Sequence, residues 1–104
     1  MGIKTVVDED KGVVTIFVIG SFDVSAYEEF KENCRKYLTD SNTFIIDLEQ
    51  ATYMDSSALG MLLLLREKTL GDKTRVRLIN VGKEVQSILD IAQFNQLFLI
   101  EPKA

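Results

Sequence analysis

Apolar residues along this chain fall into short β-branched runs that alternate with stretches in which they recur every three or four positions. The first run, around Ile3 to Val7, is followed by the charged turn DEDKG and then by VVTIFVIG, a pattern that predicts an antiparallel hairpin. Past Gly20, Ser25 with Glu28 three residues later has the form of a capping box, and Tyr27, Phe30, Cys34, Tyr37 and Leu38 then share one helical face. Cys34 is expected there as a small core residue. TFIIDLE is a near-continuous apolar run of strand length, as a strand covered on both faces requires, and should be central. It leads through the loop YMDSS into a helix that ends near Gly71, followed by the strand RVRLIN. A third amphipathic helix is marked by Val85, Ile88, Leu89 and Ala92, and LFLI forms the last strand. The order ββαβαβαβ predicts one α/β domain over 1–104. Its mixed, curved sheet has about five strands packed with helices, with parallel pairings through right-handed crossovers joined to the first hairpin.

Composition narrows what such a domain does. At 104 residues the core should suffice without a metal or disulfide, and a single cysteine forms no internal disulfide. The N-terminus lacks the uninterrupted apolar stretch of a signal peptide, and Ala58 to Leu65 is too short to span a bilayer, so a soluble cytoplasmic protein without membrane insertion is expected. A net charge of −4 speaks against nucleic acid as a partner. The acidity is concentrated in residues 1–50, with 5 basic and 10 acidic groups against 7 and 6 in the remainder, and reads first as a solvated face.

Candidate chemistry centres on YMDSSALGMLLLLR. Ligand and partner contacts in such sheets gather in loops beyond the carboxyl ends of parallel strands, and Asp55, Ser56 and Ser57 lie in that loop just before the most apolar run of the chain. Asp55 and Ser56 also fit a plain helix cap worth about 1 kcal/mol. Catalysis by these serines lacks support, since the chain has no histidine and neither G-x-S-x-G nor S-x-x-K occurs. Phosphate-cradling and dinucleotide glycine patterns are missing, and Asp23, Asp47 and Asp55 read as cap or surface acids, so no catalytic residue, cofactor or metal is expected. Gly60, inside the predicted helix, costs about 1 kcal/mol against alanine. It implies a close approach there, either of the helix to its own sheet or of a partner's side chain. Apolar residues around most of this helix imply heavy burial or a partly covered patch.

YMDSSALG, preceded by TFIIDLE and, some thirty residues earlier, by IGSFDVSAYEEFKE, resembles the STAS-domain family, above all its stand-alone bacterial anti-sigma-factor antagonists. The similarity covers nearly the whole chain, and the D-S-[ST]-[AG]-L-G core is its specific part. It implies that Ser56 is phosphorylated by a partner serine kinase, with Ser57 as second candidate. Asp23 corresponds to the family's aspartate at the partner-binding surface. Ser21 stands where many members carry an acid, and Ala58 where many carry glycine. The implied function is a non-enzymatic, monomeric phosphoswitch that binds a serine-kinase anti-sigma factor, or a related kinase or phosphatase regulator, when unphosphorylated. The docking surface is expected to include Asp23, Tyr53, Met54, Asp55, Ser57, Ala58 and Gly60. The alternative is a STAS subunit of a membrane transport assembly bound to a transporter ATPase, in which Ser56 is only a cap.

Overall fold

The computed structural model describes residues 2–39 and 41–104. The predicted hairpin is formed by β1 (Gly2–Asp8) and β2 (Val13–Phe22), paired antiparallel with Gly2 opposite Ile19 and Asp8 opposite Val13. Along β2, Val14, Ile16 and Val18 are buried while their neighbours are half-buried, the period of two that a pleated backbone imposes. β3 (Thr43–Asp47) runs parallel to β2, β5 (Val76–Val81) to β3, and β6 (Leu99–Pro102) to β5. The order β1-β2-β3-β5-β6 makes β3 central, as its apolar run predicts. Its two faces are not equally covered, however: Phe44 and Ile46 are fully buried, whereas Thr43 and Ile45 are half-buried.

The sheet has six strands rather than five. β4 (Ala51–Met54) pairs parallel with the end of β2, placing Tyr53 opposite Ser21 and Met54 opposite Phe22. The sequence pattern assigns Tyr53 and Met54 to a loop because this strand is four residues long, with Thr52 and Tyr53 exposed and no apolar alternation. A turn in which the Ala51 N–H donates to Leu48 O at 3.1 Å separates it from β3. The register of β2 against β4 shifts between Gly20 and Ser21, and Gly20 adopts φ 88°, a left-handed conformation that glycine takes at little cost.

The described residues form three α-helices, α1 (Tyr27–Tyr37), α2 (Ser56–Lys68) and α3 (Lys83–Ile91). α1 buries Phe30, with Tyr27, Cys34, Tyr37 and Leu38 packed partly against the core; α3 buries Val85 and Leu89. α2 buries Ala58, Met61, Leu62 and Leu65, while Leu63 and Leu64 stay exposed. α2 stops as predicted before Gly71, whose φ of 70° lets its N–H turn back to Arg66 O at 2.9 Å and close the last turn. LFLI is displaced: Phe98 is fully buried, its ring 5.3 Å from that of Phe94, and the strand begins only at Leu99. No helix among the described residues is long and apolar enough to cross a membrane.

Candidate functional site

Because the end of β2 lies against β4, the two strands leave the sheet side by side, β2 into Asp23 and β4 into Asp55. The Asp55 N–H donates to Phe22 O at 3.4 Å and ties the two exits together. Both aspartates have extended backbone, and each caps the helical segment on its C-terminal side. Asp55 is the N-cap of α2: its Oδ1 accepts the N–H of Ser57 at 2.9 Å and of Ala58 at 3.2 Å, two donors the helix itself leaves unpaired. Ser56 is therefore the first helical residue and not the cap.

Asp23 Oδ1 accepts the Ser25 N–H at 2.9 Å and the Ser25 hydroxyl at 2.5 Å, and so caps a single 3-10 turn, Val24–Ala26, that runs into α1. The predicted capping box of Ser25 and Glu28 is not formed. The Ser25 hydroxyl is taken by Asp23, and Ala26 occupies the α1 N-cap position with no side-chain bond. Acids in the first turn of α1, Glu28 and Glu29, still complement its positive end.

Ser56 is exposed, and its hydroxyl makes no hydrogen bond among the described residues. Ser57 is half-buried, its N–H held by Asp55. Of the two serines, Ser56 is the more exposed. Tyr53 (53% exposed) and Val24 (70%) present apolar surface at the same end of the sheet. Neither Asp23 nor Asp55 forms an ion pair among the described residues, so the end carries uncompensated negative charge.

Two expected docking residues are corrected. Met54 (2% exposed) and Ala58 (0%) face the core beneath α2, Met54 because it sits across from the buried Phe22 and Ala58 because α2 packs there on the sheet. They position the loop and offer no surface. Gly60 is also redefined: a Cβ at this position meets nothing within 4 Å, so tight packing of α2 on its own sheet does not account for the glycine. Val24 was missed because an apolar residue in a turn gives no periodic signal. The matched D-x-S spacings of FDVS and MDSS are a legible sign that each aspartate accepts from the residue two positions on. No group of three or more His, Cys, Asp or Glu side chains among the described residues is arranged to hold a metal ion. Asp47 lies apart from this end's acids, its oxygens accepting from the Glu49 N–H and the Asn80 amide, each at 3.0 Å.

A family model described as STAS domain matches residues 4–104. A STAS-domain containing protein of Pseudomonas aeruginosa is 40% identical over 100 residues, covering 96% of this chain and 99% of that protein. An anti-sigma factor antagonist from Mycobacterium paratuberculosis has the same fold, with a TM-score of 0.80 at 22% identity over 97% of this chain and 86% of the other. The anti-sigma factor antagonist SpoIIAA in its unphosphorylated form gives 0.71 at 20% identity, covering 99% and 89%. The phosphorylated form of SpoIIAA, a Bacillus cell fate determinant, gives 0.67 at 17% identity, covering 95% and 90%.

Proposed function

This chain belongs to the STAS-domain family, and from that premise we propose that it is a non-enzymatic phosphoswitch, an anti-sigma-factor antagonist that docks on a serine-kinase anti-sigma factor or related regulator until Ser56 is phosphorylated. The observation that carries the reading is the exposed hydroxyl of Ser56, unbonded among the described residues, at the first position of α2 directly after its cap Asp55. The docking surface consists of Asp23, Val24, Tyr53, Asp55, Ser57 and the open backbone at Gly60.

The local geometry also supports a mechanism. A helix N-terminus ordinarily welcomes an anion, but here Asp55 already occupies the N–H groups of Ser57 and Ala58. A phosphate on Ser56 therefore finds those first-turn donors taken and stays at the surface, adding about −1.5 to −2 charges beside two carboxylates. Helix and fold persist while the docked partner meets bulk, lost solvation and repulsion. A change of only about 1.4 kcal/mol reduces affinity tenfold.

The test is a pull-down with unmodified protein, followed by affinity measurements with the captured partner for wild type, stoichiometric Ser56 phosphoprotein and Ser56→Ala. The expected result is capture of a kinase-type regulator, at least about tenfold weaker binding by the phosphoprotein, and wild-type binding by Ser56→Ala that ATP no longer reverses. Equal binding by all three refutes the switch.

A further inference from the structure

A groove of about 300 Å³ runs between α1 and α2, and neither Asp23 nor Asp55 lines it. Its walls are apolar, with Phe30 from α1, Leu38 just past its end, Met61 and Leu65 from α2, and Leu64, 47% exposed, at its lip. The charged residues that line it are all cations, Lys31, Arg35 and Lys68, in a chain whose net charge is −4. The acids of α1, Glu28, Glu29 and Glu32, do not line it, although Glu32 holds the Arg35 guanidinium at 2.8 Å. The Lys31 ammonium lies 5.6 Å from the centre of the Tyr27 ring, and Lys68 has no ion pair among the described residues.

The shape restricts what fits. The lining runs from Tyr27 to Arg35 along α1 and on to Leu38 just past its end, about 16 Å at ~1.5 Å per residue. A long apolar groove of this volume, rimmed by cations, suits one extended chain with an anionic end. We propose that this groove binds a free, single-chain amphiphile with an anionic head group, its chain along Phe30, Leu38, Met61 and Leu65 and its head among Lys31, Arg35 and Lys68. A volume at the small end of ligand pockets suits such a compact ligand. The Cys34 thiol in the groove wall is pushed up to about 12 by loss of water, which marks the interior as an apolar environment.

The test uses sodium decanoate, with decanol and decyltrimethylammonium as matched probes, followed by amide chemical shifts of the labelled full chain. Decanoate is expected to saturate one site, with shifts concentrated on groove residues of α1 and α2, and the cationic and neutral analogues to bind at least about tenfold more weakly. Leu64→Asp and Lys68→Glu should each weaken decanoate by a similar factor, and both positions are exposed enough for the fold to persist. Should Leu64→Asp disturb the spectrum, Lys68→Glu alone decides. Failure to saturate, shifts outside the groove, equal affinity for all three probes, wild-type affinity in Lys68→Glu, or binding only to anionic phospholipid vesicles overturns the proposal.

Discussion

Phe22-Asp23-Val24-Ser25 and Met54-Asp55-Ser56-Ser57 leave neighbouring strands with the same plan: a buried apolar residue, an extended aspartate, an exposed residue and a serine. They differ in what the serine does and what stands exposed. In the first, the Ser25 hydroxyl is bonded to the aspartate; in the second, Ala58 supplies a second N–H and the Ser57 hydroxyl is not recruited by Asp55. The position after each aspartate points outward in both, and it holds an apolar side chain in one loop and a hydroxyl in the other. One local device thus presents an exposed apolar side chain, Val24, and an exposed hydroxyl, Ser56, at adjacent strand ends.

The largest expected effect on stability distinguishes the two caps. Asp55→Ala should cost about 1 to 2 kcal/mol, since it orphans two N–H groups of a 13-residue helix, and Asp23→Ala about 0.5 to 1 kcal/mol, since it loosens a single turn. Equal losses in denaturant unfolding would erase that distinction. Next is Gly60→Ala, expected to raise stability by up to about 1 kcal/mol because the added methyl meets open space. If it binds the captured partner more weakly at the same time, Gly60 belongs to the docking surface. Ser56→Ala comes third, with a change within about 0.5 kcal/mol, because Asp55 and not Ser56 supplies the cap.

The smallest effect lies at Cys34, away from both loops. Its thiol is raised from an ordinary 9.0 to about 12 by burial, so it stays protonated at neutral pH and should react slowly with thiol reagents, at a rate that neither aspartate substitution alters. Between these values the unfolded chain releases a proton that the folded chain retains. Stability therefore falls as pH rises through that window, and the wild type should lose more than Cys34→Ala when their unfolding is compared from pH 8 upward.

Much of this architecture was legible from spacing. The hairpin and the inward faces of α1 and α3 follow from periods of two and of three to four residues, because each periodicity reports a single buried side, and the central TFIID strand follows from its near-continuous apolar run. β4 escaped for lack of such a side, as its two middle residues are exposed and its hydrogen bonds go to three residues of one neighbour. Ser25 misled because a hydroxyl followed by an acid three residues on satisfies the capping pattern, whereas Asp23 competes for the same hydroxyl and prevails. At α2 the motif drew attention to the right segment, but sequence alone did not separate cap from exposed neighbour. That separation depends on which oxygen reaches the N–H groups of Ser57 and Ala58.

β2 accepts three neighbours, β1, β3 and β4, with β3 along Val13–Phe17 and β4 at its last three residues. In the time order of synthesis, the hairpin partner is upstream and β1 can pair as soon as β2 emerges. β3 must wait for residue 47, and the end of β2 for residue 54. A nascent chain halted before Tyr53 therefore presents the backbone of Ser21 and Phe22 without its native strand partners, the open edge that invites pairing with another chain. The bond from the Asp55 N–H to Phe22 O, which ties the two aspartate loops together, forms only once that edge is closed.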